Sequence, residues 1–115
     1  MIDWWFIDPC VYILASARDG ILYVGVTSCL FDRISIHKQD LHEGFTKKYH
    51  VHRLVYYEKH ETMAQAISRE TRIKKWKRAW KVRLILEMNP EWIDLFDERT
   101  ATILDGPADS ARFRQ

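Results

Sequence analysis

Cys10-Val11-Tyr12-Ile13-Leu14, a turn at Arg18-Asp19-Gly20 and Leu22-Tyr23-Val24-Gly25-Val26 form the stretch whose reading decides the fold. Both arms are rich in β-branched and aromatic residues, and Asp-Gly between two apolar runs is a strong hairpin signal. Strand alternation puts Tyr12 on one face with Cys10 and Leu14, and Tyr23 on one face with Ile21 and Gly25. If Tyr12 pairs opposite Tyr23 or Gly25, both phenols project from the same side of the sheet. Gly25 then leaves space beside them, and the hairpin becomes the floor of a pocket.

Thr27-Ser28 offers an N-cap for a helix extending to about Leu41, with Leu30, Ile34, His37 and Leu41 on its buried stripe. Arg33 and His37 are four residues apart, one turn above the other, and both can point back toward the hairpin. Residues 42–49 read as a polar loop whose Lys47 and Lys48 suit phosphate contact as well as plain solvation. Arg53-Leu54-Val55-Tyr56-Tyr57-Glu58 reads as a third strand, which makes the hairpin an independent sheet. His50, His52 and His60 flank it without a third metal ligand nearby.

Thr62 caps a helix from Met63, with Met63, Ala66, Ile67 and Ile73 as its apolar stripe and Trp76 and Trp80 continuing it, with or without a break. Glu70 falls three after Ile67 and three before Ile73, so a carboxylate turns toward the sheet. A charge placed there must be paired, protonated or bound to a cation. A salt bridge to Arg33 or a lysine is the plain reading; beside two same-face tyrosines and an Arg-His pair, metal binding is preferred. Another helix or helix pair covers residues 79–88 and stops at Asn89-Pro90. One more short helix is expected within 91–103, with Trp92, Ile93, Leu95 and Phe96 inward, and residues 105–115 are expected to fray.

The chain has 115 residues, enough for one compact domain, read here as residues 1–98 followed by a polar tail over 99–115. Its net charge of +2 hides an uneven distribution, because residues 69–83 carry eight Lys and Arg against the single acid Glu70, and acids prevail from Glu87 onward. So dense a basic segment suggests a polyanionic partner, which releases counterions when bound. Trp76 and Trp80, interleaved with these charges, can stack on bases, although core packing is the preferred reading for both. Two cysteines make neither a disulfide framework nor a zinc site. An apolar amino terminus interrupted by Asp3, Asp8 and Pro9 is no signal peptide, and no apolar run approaches spanning length. A soluble, cytoplasmic protein with reduced thiols is the expectation.

Together these residues resemble the GIY-YIG nuclease superfamily, and within it the small stand-alone bacterial type. Cys10-Val11-Tyr12 stands where that family has Gly-Ile-Tyr, and Tyr23-Val24-Gly25 where it has Tyr-Ile-Gly. Arg33 lies at the family spacing, His37 follows where members carry His or Tyr, and Glu70 matches the metal-ligand glutamate. The likeness spans roughly residues 8 to 95. Cys10 replaces the first glycine, and no role is carried to Asn89.

The resemblance implies an α/β (α+β) domain with a central three-stranded, mainly antiparallel sheet flanked by helices. It implies a divalent-metal-dependent endonuclease hydrolysing phosphodiester bonds in DNA rather than RNA, structure-directed or weakly sequence-specific, with a place in DNA repair or processing. Tyr12, Tyr23, Arg33, His37 and Glu70 would be catalytic, with Tyr12 as general base and Tyr23 and His37 positioning the water or sharing its proton. Glu70 would hold one Mg2+ or Mn2+, since a hard ion accepts a single carboxylate plus water and substrate oxygens. A free phenol near ~10 is a poor base at neutral pH, so a cation, Arg33 or the metal, has to lower it. Lys47, Lys48, Lys74, Lys75, Lys77 and Arg78 would contact the nucleic-acid backbone. A partner protein or homodimerisation could supply specificity. Two competing readings are a catalytically silent nucleic-acid-binding module with the same fold, and a protein-protein adaptor; the adaptor leaves Glu70 unexplained.

Overall fold

The computed structural model describes residues 8–39, 44–97, 99–100 and 102–104. The hairpin is present: β1 (Cys10–Ala15) pairs antiparallel with β2 (Leu22–Thr27). Asp19 takes the left-handed backbone of the turn at φ 59°. Gly20 is needed for close approach, because a Cβ there would lie 2.3 Å from Ser16 Oγ. β1 also pairs antiparallel with β3 (Arg53–Lys59), giving the order β2-β1-β3. The β1/β3 register shifts between Ile13 and Leu14, where Val55 is the extra residue of β3.

Helices cover both faces. α1 (Leu30–Lys38) buries Leu30, Ile34 and His37 on the side of Cys10, Tyr12 and Leu14. Its N-cap is Cys29, not Thr27 or Ser28 as expected. The Thr27 hydroxyl is occupied at the entry to the helix, accepting from the Cys29 N–H at 3.0 Å. The expected end near Leu41 lies outside the described residues. The loop expected over 42–49 contains a four-residue helix, α2 (Phe45–Lys48).

α3 (Met63–Lys74) begins where the sequence places it, with the Thr62 side chain accepting from the Gln65 N–H. α4 (Arg78–Met88) follows after a break at 75–77. Both lie on the opposite face of the sheet, over Val11, Ile13 and Ala15, with Ala66, Ile73 and Ile85 buried. Ile67, expected inward, is exposed. The inward line of α3 runs Ala66–Glu70–Ile73, at the i, i+4, i+7 spacing of one helical face, and Ile67 falls off it.

The helix expected within 91–103 is absent among the described residues. Trp92 sits at φ 58°, a left-handed conformation unusual for a bulky residue, so the chain cannot continue as a helix through it. Residues 93–97 instead run beside β3, with the Leu95 N–H donating to the Leu54 carbonyl at 2.8 Å. A short hairpin of β4 (Phe96–Asp97) and β5 (Thr102–Ile103) closes the Tyr12 side of the core. Asp94 Oδ1 accepts from the Leu54 and Phe96 N–H groups, fixing the crossover. The side chains expected inward are inward: Trp92, Leu95 and Phe96 are buried and Ile93 is half-buried.

Asn89 is fully buried and its amide is spent on the fold. Its Nδ2 donates to the carbonyls of Val55 and Ile93, and its Oδ1 accepts from the Ile93 N–H. The bulge in β3 and the exit from α4 are tied together by this one side chain. Residues 1–7 and 105–115, the aromatic lead-in and the frayed tail of the sequence reading, lie outside the described residues.

Candidate active site

Tyr12 pairs directly opposite Gly25, so its side chain and that of Tyr23 leave the sheet on one face. The Tyr12 phenol lies over Gly25 so closely that a Cβ there would stand 2.4 Å from Tyr12 Cζ and Oη. Glycine is required here by contact, not by backbone conformation. His37 comes down from the buried stripe of α1, and its Nε2 is hydrogen-bonded to Tyr12 Oη at 3.1 Å. Tyr12, Tyr23 and His37 form a triangle of rings with centroids 6.4, 5.9 and 5.6 Å apart.

Electrostatics mark the remaining members. Burial pushes the Tyr12 phenol well above the ordinary tyrosine value, and neighbouring Tyr23 adds to the rise. The Arg33 guanidinium opposes it through its charge and a hydrogen bond, and the Glu70 carboxylate reinforces it. Arg33 and Glu70 thus both bear on the Tyr12 phenol electrostatically, Glu70 the least of the causes. The two are carried on opposite faces of the sheet: Arg33 on α1, and Glu70 on α3, which packs on β2, the edge strand next to β1. The sequence reading asked a cation, Arg33 or the metal, to lower the phenol; Arg33 alone does not outweigh burial.

Glu70 is shielded, with only 13% of its side chain exposed, and it pairs with Lys74 one turn on at 2.8 Å. Lys74 also lines, with Tyr23, Leu22, Val24 and Lys81, a pocket of about 370 Å³. The structure thus brings Lys74 to the tyrosine group, and adds Lys81, which nothing in local spacing singles out because it arrives on a separate helix. Lys75, Lys77 and Arg78 are exposed at the α3–α4 junction. Lys47 and Lys48 are exposed on α2, with the Lys48 ammonium 5.3 Å from the Tyr49 ring centre.

Among the described residues no three His, Cys, Asp or Glu side chains cluster to hold a metal, and His50 and His52 stack edge to face. A divalent ion beside Glu70 would have one protein carboxylate and would complete its shell with water and substrate oxygens. That donor set fits Mg2+ or Mn2+, which keep much of their hydration, and does not fit zinc.

A second polar group went unseen in the sequence. Glu58 on β3 takes a bidentate pair from Arg69, at 2.9 and 3.2 Å, and is also bonded to His60 at 2.6 Å and to the Tyr56 hydroxyl. Burial works to raise the Glu58 carboxyl, and hydrogen bonds from Arg69, Tyr56 and His60 outweigh it, holding it below the ordinary value. Arg69 and Glu70 are consecutive, so the inward line of α3 sends one toward β3 and the other toward the site.

A three-stranded antiparallel sheet that presents two tyrosines and a histidine as one group, with an arginine and a glutamate acting on it, defines a small nuclease-type α/β domain. The sequence profile of the GIY-YIG catalytic domain matches residues 8–83. The chain belongs to the GIY-YIG family. UPF0213 proteins of Staphylococcus aureus, strains Mu50 and N315 among them, are 38% identical over 77 residues, covering 67% of this chain and 93% of theirs. A solved relative, the UPF0213 protein from Bacillus halodurans, is 28% identical over 68% of this chain and 82% of its own, with a TM-score of 0.43.

Proposed function

We propose that this chain is a divalent-metal-dependent endonuclease that cuts phosphodiester bonds in DNA, structure-directed or weakly sequence-specific, in cytoplasmic DNA repair or processing. The observation that carries the reading is the convergence on one buried oxygen: Tyr12 Oη bonds His37, sits over the space left by Gly25, and feels both Arg33 and Glu70.

The residues divide the work as follows. Glu70 would hold Mg2+ or Mn2+, whose chemistry when bound is charge compensation on phosphoryl oxygens. Arg33 offers a planar, permanently charged fork to the scissile phosphate. Because burial keeps Tyr12 protonated, its most economical role is a relay. Its oxygen accepts a proton from the attacking water while its own proton passes to His37 Nε2. No free phenolate is needed. Tyr23 forms the near wall of the pocket and positions the water. Lys74, now on Glu70, stands free to turn to phosphate when that carboxylate takes up a cation, and Lys75, Lys77, Arg78, Lys47 and Lys48 hold the backbone without reading sequence. A homodimer or partner protein would supply target choice.

The test is cleavage of labelled single-stranded, duplex, flap and branched DNA, and of RNA, with Mg2+, Mn2+ or EDTA. Wild type should cut only with metal, and Glu70→Gln should cut at least about 100-fold more slowly while binding within a few-fold of wild type. Binding without cutting in both proteins, on every substrate, would overturn the enzyme reading in favour of a silent binding module.

A further inference from the structure

Trp76 and Trp80 are not core residues in the way their spacing suggests. Trp76 is half-buried against the α3–α4 side of the sheet, and the guanidinium of Arg69, held in place by Glu58, lies 5.2 Å from its ring centre. Trp80 stands edge-on to Trp76 at 6.0 Å and leaves 49% of its surface in solvent. With Arg83, Leu84 and Glu87 they line a narrow, mainly apolar slot of about 200 Å³. Trp80, Leu84 and Glu87 recur at i, i+4 and i+7, so a single face of α4 makes one wall.

A half-exposed indole on a helix rich in cations suits an occupant that is both flat and anionic. Residues 69–83 hold eight basic side chains and one acid, and that acid is already paired with Lys74. Charge complementarity thus favours a nucleotide strand over an apolar peptide. Lys81, which lines the Tyr23 pocket, is carried by α4, the helix that makes one wall of the slot. A duplex cannot use it, since its bases face one another inside the stack. We propose that the Trp76–Trp80 slot binds one unpaired base of a single-stranded segment flanking the scissile phosphate, so that the substrate class is DNA or RNA with a single-stranded arm. Glu87 adds a preference, because a carboxylate at the slot accepts from an exocyclic amino group, which adenine, cytosine and guanine have and thymine lacks.

This rests on the nuclease reading for its geometry but is tested apart from it, by binding in EDTA. The probes are dA, dC and dT oligonucleotides, the same lengths of RNA, and a duplex, titrated against intrinsic tryptophan fluorescence. Wild type should be quenched by single strands, dA and dC above dT. Trp80→Ala should lose about tenfold in single-strand affinity with duplex affinity unchanged, and Trp80→Phe should recover most of it. Trp80 is exposed, so the fold should survive; circular dichroism checks this. Equal losses on single strand and duplex, no loss at all, or a Trp80→Ala effect on self-association alone would overturn the proposal. Cleavage of plain duplex with an indifferent Trp80 would sink the slot and leave the nuclease standing; stacking without cleavage would do the reverse.

Discussion

At the scale of the residue, the most exacting contact is that of Tyr12 with Gly25. A methyl group on residue 25 would overlap the phenol carbon and oxygen at 2.4 Å, and the ring has no free side to retreat to, since it is fully buried against α1. Gly25→Ala should therefore swing the phenol away from His37. Overpacking of this kind costs about 1–3 kcal/mol, which urea denaturation would report. The displaced reacting group should lower cleavage about 100-fold, with nucleic-acid affinity retained. Wild-type cutting by Gly25→Ala would show that the Tyr12–His37 contact is dispensable. That Tyr12, Tyr23 and Gly25 share one face was legible from alternation alone, because β-strand faces follow from parity. What parity could not give was the state of the phenol, which depends on burial by a helix and a hairpin far along the chain. Cys10, on the same face, illustrates the same effect: burial pushes its thiol up to about 11, so at neutral pH it is an unreactive packing group where the family carries glycine.

At the scale of the element, α3 separates two tasks on one helix. Its Ala66–Ile73 line seats it on the sheet, Glu70 lies shielded on that line and pairs with Lys74, and Arg69 locks onto Glu58. The Glu58 group clamps α3 to β3 one residue before Glu70. Removing its charge by Glu58→Gln strips Arg69 of its bidentate partner and should cost about 2 kcal/mol. The pH dependence has a definite sign. Glu58 is held below the ordinary carboxyl value of ~4.3, so its contribution is complete above that value and is lost as pH falls through the lower folded value. Thermal unfolding of wild type should therefore destabilise on acidification below about pH 5, and Glu58→Gln should show a flatter acid limb. Identical acid limbs would mean that the clamp contributes nothing. Elements defined by local signals were readable in advance: the hairpin, β3, the Thr62 cap, and the Asn89-Pro90 stop. The β4–β5 hairpin was not. Trp92, Ile93, Leu95 and Phe96 have spacings that fit a helix, and what overrides them is non-local: the Asp94 carboxylate on the Leu54 N–H, and the Leu95 N–H on the Leu54 carbonyl. The Glu58 clamp was hidden for the same reason, since its members come from two elements eleven residues apart.

At the scale of the whole molecule, charge is sorted by the fold. Among the described residues, acids of the carboxy-terminal part are engaged by basic groups of the amino-terminal part, Glu91 with Arg18 and Asp94 with Lys38. The cations of the α3–α4 junction are not engaged in this way: Lys75, Lys77 and Arg78 are exposed, in the break between the two helices and at the start of α4. Two readings of them differ in a measurable way. A solvated helix face contributes little to binding, whereas phosphate contacts release counterions and fix the slope of log K against log salt at about −0.9 per contact for duplex DNA. Changing Lys75, Lys77 and Arg78 together to Ala leaves Tyr12, Glu70 and Lys74 untouched. It should reduce the magnitude of that slope by roughly 2.7 if all three touch phosphate. The loss should be alike for unrelated sequences, because backbone contacts orient a strand without reading it. An unchanged slope would assign these side chains to solvation alone and would move the docking surface elsewhere, with Lys47 and Lys48 on α2 the next candidates.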